Sequence, residues 1–389
     1  MKLRHLLNVG IALACLMPLP GVAANGNGNI KENVDRVILP LIEEHGIPGV
    51  AVAVVTDDGT EVFNYGVASK QTQKPVDDET LFEVGSISKT FTVTLATYAA
   101  EKGELNLSDQ VSVHVPELEG SPLGEVALLH LGTHTPGGMP QQFPDDVTND
   151  AEMMQYFKDW RPTYQQGAYR TYANPSIGLL GAIAARSMDR PYIDVMHSEI
   201  FPRLGLKKTF LTVPPGEEVN YAQGYTRKDQ PTRVSPGVLA AEAYGVKTTA
   251  SDLAHFLRVQ MHMVDVPADI QAAVDETRRG YFKAGNTTQG LIWEEYDYPA
   301  NLDDLLAGNS LKMSMEPNAV TAFKPPLDPR QQVLINKTGS TNGFGGYIAF
   351  VPAKRLGIVL LANKNYPIEA RVRAAFTIME ALDTAVAAE

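Results

Sequence analysis

Leu81-Phe82-Glu83-Val84-Gly85-Ser86-Ile87-Ser88-Lys89 is the stretch from which the rest of the chain can be read. Behind it, Thr90 to Lys102 has no Pro or Gly until Gly103 and carries apolar Phe91, Val93, Leu95 and Ala99. That pattern predicts a helix beginning near Ser86. Ser86 would then sit among the free N–H groups at the positive end of the helix dipole. Lys89, one turn on, would share its face. A serine hydroxyl is a poor nucleophile near neutral pH unless a base stands beside it. A lysine can be that base only if burial or a nearby cation lowers its pKa. Alone, Ser-x-x-Lys is a common spacing that an exposed first helical turn explains equally well. More cations, or a tyrosine, converging on Ser86 would separate the two readings.

Two later stretches supply them. Tyr172-Ala173-Asn174-Pro175-Ser176 precedes apolar Ile177 to Ala185. Pro175 just inside that helix makes Tyr172 to Asn174 a helix-entry loop, able to point a phenol and an amide into a cleft. A cap and a turn would account for the same residues. Lys337-Thr338-Gly339-Ser340 follows apolar Val333 to Ile335 and precedes the apolar runs Tyr347 to Val351 and Leu356 to Leu361. These predict three adjacent antiparallel strands. Lys337 would face the site from the first, and Gly339 would let a substrate approach the backbone. Val234 to Gly245 reads as a long loop with Tyr244 as a pocket wall.

The N-terminal part predicts a helix over Val34 to Ile42, a strand over Val50 to Val55, a turn at Asp57-Asp58-Gly59-Thr60 and a partner strand from Glu61 to Val67. Pro367 to Leu382 reads as a closing helix. The expected fold class is therefore α/β in the α+β sense: an antiparallel sheet built from both chain ends and flanked by helices, plus a mainly helical lobe. The expected division is 30–82 and 228–389 for the sheet lobe and 83–227 for the helical lobe. Asn25 to Asn29, rich in Gly and Asn, reads as a flexible terminus.

Residues 1–24 read as a signal peptide: Lys2 and Arg4, an apolar run from Leu6 to Leu19, then Gly21-Val22-Ala23-Ala24. The run is too short for a membrane span. A lipoprotein site around Cys15 is a second reading, with Ala12 where leucine is usual. Cys15 is the only cysteine, so export without disulfides points to a bacterial periplasm. A net charge of −12 argues against nucleic acid and anionic membrane surfaces as partners. His130 and His134 stand four apart, but Gly132 lies between them and no Glu follows His130, so no metal is expected, nor a cofactor.

Ser86 with Lys89, Tyr172 with Asn174 and Lys337-Thr338-Gly339, in this order, resemble the serine β-lactamase and penicillin-binding protein superfamily, of which Ser-x-x-Lys and Lys-Thr-Gly are known signatures. Tyr172-Ala173-Asn174 is similar to the Tyr-x-Asn of the class C, cephalosporinase branch, and the likeness runs along nearly the whole mature chain. It implies a β-lactamase/transpeptidase-like fold and hydrolysis of cephalosporins and penicillins through an acyl-enzyme on Ser86, conferring β-lactam resistance. The implied catalytic residues are Ser86, Lys89, Tyr172 and Lys337. Either Tyr172 or Lys89 takes the serine proton. Backbone N–H groups of Ser86 and Ser340 would form the oxyanion hole. Gln142, Asn174 and Tyr244 would meet the substrate's side chain, and Thr338, Ser340, Asn342 and Arg371 its carboxylate. The protein is expected to act as a monomer on a small-molecule β-lactam. Departures from the common pattern are Ile368 for Asn, Gln141 for Leu, Ile292 for Gly, and Gly132, His134 and Pro136 within Leu131 to Gly138, all bearing on substrate range. The alternatives are a D-Ala-D-Ala carboxypeptidase, an esterase of the same fold and a penicillin-binding sensor domain.

Overall fold

The computed structural model describes residues 26–386; the expected signal peptide and Cys15 lie outside them. Helix α1 (Gly26–His45) leads into the hairpin β1 (Gly49–Thr56) and β2 (Gly59–Gly66). The first turn of α1 takes in Gly26 to Asn29, which sequence reading left as a flexible terminus; the helix they extend is held where Ile30, Val34 and Ile38 pack on the sheet. A short 3₁₀ turn, Gly85–Ile87, opens α2 (Ser88–Glu101). Then come α3 (Asn174–Ser187), α4 (Ala250–Gln260) and α5 (Ala268–Thr277). The sheet resumes with β3 (Gly280–Ala284), β4 (Thr287–Gln289), β5 (Glu294–Asp297), β6 (Thr321–Leu327), β7 (Val333–Ser340), β8 (Gly345–Val351) and β9 (Leu356–Ala362). Helix α6 (Ile368–Val386) closes the chain.

The nine strands run in the order β6-β3-β4-β5-β7-β8-β9-β1-β2. The N-terminal hairpin thus adds to the edge of the last strand, with Val52 opposite Leu360. Period-two alternation divides the core between the two faces. Val50, Val52, Val54, Ile358 and Leu360 pack with α1 and α6; Ala51, Ala53, Val55, Val359 and Leu361 face α2, α3 and α4. Both faces are covered, so the strands read as unbroken apolar runs.

Helix α2 is buried all round from Ser88 to Ala99. Its threonines are accommodated because their hydroxyls bond backbone carbonyls: Thr90 to Ile87 at 2.8 Å, Thr94 to Thr90 at 2.8 Å, and Thr97 to Ala273 of α5 at 2.8 Å. The loop expected over Val234 to Gly245 ends instead in a short helix, Ala240–Tyr244. Its Ala243 carbonyl accepts from Lys89 Nζ at 2.7 Å, a contact between distant segments that no local pattern encodes.

The 3₁₀ turn meets β7 backbone to backbone. A Cβ on Gly339 would lie 1.9 Å from the Val84 carbonyl oxygen and 3.0 Å from the Ile87 nitrogen. A Cβ on Gly85, whose φ is +51°, would lie 2.6 Å from the Ser340 nitrogen. The missing side chain of Gly339 therefore admits the turn that bears Ser86. Gly339→Ala is expected to destabilise the protein by about 1–3 kcal/mol through forced overpacking and to misplace Ser86. Thermal melting of this variant against Gly216→Ala, where nothing lies within 4 Å of the added Cβ, checks it: equal melting temperatures would refute the contact.

Candidate active site

Three segments converge at a cleft of about 530 Å³ lined by Ser86, Gln142, Tyr172, Asn174, Tyr244 and Lys337 to Asn342. The 3₁₀ turn presents Ser86, and Lys89 follows one turn on. Lys89 is fully buried and its Nζ donates to Ser86 Oγ at 2.9 Å. Glu83 holds the turn from below: its carboxylate accepts from the Tyr221 hydroxyl and the Thr341 hydroxyl, each at 2.5 Å, and from the Val234 N–H at 2.8 Å.

Tyr172 stands at the entry of α3, where Pro175 occupies the first turn. Lys89 Nζ lies 5.1 Å and Lys337 Nζ 5.3 Å from its ring centroid. The ring is partly exposed to the cleft, yet its oxygen is buried and makes no hydrogen bond of ordinary geometry. Burial is the largest influence on this phenol and pushes its pKa up. Lys337, then Lys89, with the nearby Ser86 hydroxyl and Lys89 amine, outweigh it and bring the pKa down to about 8. Lys89 is also lowered to about 8, mainly by burial; Tyr172 opposes that shift and Lys337 reinforces it. Serine, amine and phenol thus form a compact set in which a proton can be handed over near neutral pH.

Thr338, Ser340 and Asn342 line the cleft beside Lys337. Asn174 Oδ1 is buried without a partner, an acceptor facing the cleft from the other wall. Gln142 is exposed at the rim. Arg371 departs from expectation. It is fully buried and absent from the lining, donating to the Gly339 carbonyl at 2.6 Å and to Ser340 Oγ at 3.0 Å. It therefore braces β7 from behind instead of meeting a ligand carboxylate. Ile368 and Gln141 do line the cleft, whereas Ile292 is buried in the core.

Sequence reading missed several lining residues. Arg170, two before Tyr172, donates to Glu294 at 2.6 Å, to Gln289 at 2.6 Å and to the Met313 carbonyl at 2.8 Å. A cation two residues before Tyr172 was the available signal; its partner Glu294 is far off in sequence and carried none. Asn365 also lines the cleft, donating to the Thr341 carbonyl at 2.9 Å. His130 and His134 have separate partners: the Thr135 hydroxyl at 2.8 Å for His130, and the Ala173 N–H at 3.3 Å for His134.

The β-lactamase family model matches residues 34–383. A β-lactamase of Pseudomonas fluorescens is 47% identical over 355 residues, 91% of this chain and 99% of that protein. One of Lysobacter lactamgenus is 48% identical over 347 residues, 89% and 90% of the two chains. Among solved structures, a class C β-lactamase in complex with cefoxitin superposes with a TM-score of 0.89 at 47% identity, covering 91% of this chain and 99% of its own. The D-alanine carboxypeptidase AmpC of Burkholderia cenocepacia gives 0.88 at 47%, with the same coverage.

The electrostatics of the phenol can be tested without a substrate. In ring-labelled protein, one tyrosine is expected to titrate at about 8, and Lys337→Ala should move that titration upward, because it removes the strongest influence opposing burial. NMR titration of the two proteins reads this; an unchanged value would remove Lys337 from the site's electrostatics.

Proposed function

The chain belongs to the β-lactamase family and resembles its class C members along its length; from that premise we propose that it hydrolyses cephalosporins and penicillins through an acyl-enzyme on Ser86. The observation that carries the proposal is the 2.9 Å contact between Ser86 Oγ and the Lys89 amine, whose pKa is lowered to about 8.

In this reading a neutral Lys89 takes the proton as Ser86 Oγ attacks the lactam carbonyl. The developing oxyanion is held by the N–H groups of Ser86 and Ser340, which the Gly85–Ser340 contact brings together. Each such donor is worth roughly 3–4 kcal/mol in the transition state. Tyr172 and Lys337 pass a proton to the departing lactam nitrogen, and the Tyr172 phenolate then draws a proton from the water that releases the product. The substrate's amide side chain lies against Asn174, Gln142 and Tyr244. Its carboxylate meets Thr338, Ser340 and Asn342, with Arg371 holding Ser340 in place. No step calls on a metal or a cofactor.

Among the described residues no helix is long and apolar enough to cross a membrane. The N-terminal signal pattern supports a periplasmic enzyme; in this proposal it acts as a monomer and confers resistance by destroying β-lactams. The D-alanine carboxypeptidase named among the structural relatives would share the acylation step.

Ser86→Ala is expected to abolish cephalosporin turnover while the protein stays folded, since a serine at a helix entry adds about 1–2 kcal/mol at most as a cap. A folded mutant that retains more than a few per cent of parent turnover would overturn the assignment. With the parent enzyme and excess cephalosporin, stopped-flow should record many turnovers; a single stoichiometric burst would indicate a sensor, and release of D-alanine from a D-Ala-D-Ala peptide at a higher rate a carboxypeptidase.

Tyr172→Phe keeps the ring and removes the phenol. Both acylation and deacylation should slow, by roughly 10²–10⁴-fold for a lost acid–base group. Because Tyr172 raises the Lys89 pKa, the ascending limb of the residual pH profile should also move to lower pH. Parent rates in both steps would reduce Tyr172 to a pocket wall.

A further inference from the structure

His134 lies against the catalytic phenol, and the mechanism above gives it no role. Its ring centroid is 4.4 Å from that of Tyr172, at an interplanar angle of 44°. It is 1% exposed. Its backbone is left-handed, with φ at 59°, a conformation that costs a non-glycine residue energy and persists only where its surroundings hold it. Two hydrogen bonds do so, and they bracket Tyr172. The His134 carbonyl accepts from the Thr171 N–H at 2.8 Å, and Nδ1 accepts from the Ala173 N–H at 3.3 Å. The residues immediately before and after the phenol are therefore tied to one histidine, whose ring also supports the phenol's face.

The bond at Nδ1 also sets the protonation state. An Nδ1 that accepts carries a lone pair, so the neutral ring keeps its proton on Nε2. A second proton would turn Nδ1 into a donor facing the Ala173 N–H. It would also add a cation to a cluster that already holds Arg170, Lys89 and Lys337. Burial first, and then those three cations, push the imidazole's pKa well below its ordinary value. Nδ1 is engaged by the Ala173 N–H and His134 is not among the residues lining the cleft, so the ring is not placed as a general base beside Ser86.

We propose that His134 is a positioning residue: a clamp that holds Tyr172 between Lys89 and Lys337 by gripping the backbone on both sides of it. The placement matters because the phenol's lowered pKa depends on its distance from two amines. This rests on the reading of Tyr172 as part of the catalytic machinery.

Two substitutions divide the clamp into its parts. His134→Phe keeps the ring and removes the acceptor. His134→Asn removes the ring, keeps an acceptor oxygen near the Nδ1 position, and tolerates a left-handed backbone. In His134→Phe the Tyr172 titration is expected to rise from about 8 toward the ordinary tyrosine value. Acylation should slow on the order of 10–100-fold, the cost of a slightly misplaced catalytic group. His134→Asn should recover most of both. In a Tyr172→Phe background, His134→Phe should cost no further rate.

Parent titration and parent acylation in His134→Phe would overturn the proposal, as would an added rate loss in the Tyr172→Phe background. A readout on the parent protein stands even if a variant fails to fold. Nitrogen-15 shifts assigned to His134, and so kept apart from His130, whose pKa burial lowers to about 4, should show its ring fixed as the neutral Nε2–H tautomer from pH 9 to pH 5 (about the range over which an ordinary histidine titrates). Titration of the His134 ring within that range, or an Nδ1–H tautomer there, would refute the clamp. Failure of the catalytic reading has a different signature: Tyr172→Phe would itself keep parent rates while the histidine tautomer stayed as described.

Discussion

The backbone of Val84 and Gly85 rests directly on that of Gly339 and Ser340, with no room for a side chain on either glycine. Everything chemical in this protein depends on that contact. It fixes the Ser86 turn against the strand that carries Lys337 and Ser340, so the candidate nucleophile, the second amine and both candidate oxyanion donors share one rigid junction. The junction is reinforced at each side. Glu83 ties the turn to Thr341 and Val234, and Arg371 binds the Gly339 carbonyl from behind. Sites mounted on regular elements and braced this way hold their geometry better than sites on free loops.

Around the junction the fold gathers cations near one phenol. Arg170 is compensated by Glu294 in a buried pair. Among the described residues, Lys89 and Lys337 have no carboxylate in ion-pair contact. Burying an amine without a counter-charge favours its neutral form, and two amines beside a phenol favour the phenolate. The same arrangement therefore lowers both the amine beside Ser86 and the phenol to about 8. Replacing Lys337 by a neutral group would alter both titrations together, because it acts on both groups.

The candidate catalytic set was legible because each member sits in a short local pattern. Ser86 and Lys89 are one helical turn apart, Tyr172 and Asn174 precede a proline-opened helix, and Lys337 lies on an apolar strand. Covalent spacing and helical or strand period determine such relations, so the chain itself specifies them. The hairpin, the three closing strands and the final helix were legible on the same grounds. What stayed hidden joins segments distant in sequence. Arg371 bears the right charge for a ligand contact but its side chain turns behind β7, which depends on the packing of α6. Gly339 accommodates the Ser86 turn, and Glu294, Asn365 and His134 gain their places only when strands and loops assemble. Sequence alone determined which groups could do the chemistry and how neighbours along the chain face one another. The tertiary structure decided which of them meet and which stay out of water, because burial and charge proximity are properties of the packed fold and not of the spacing between residues.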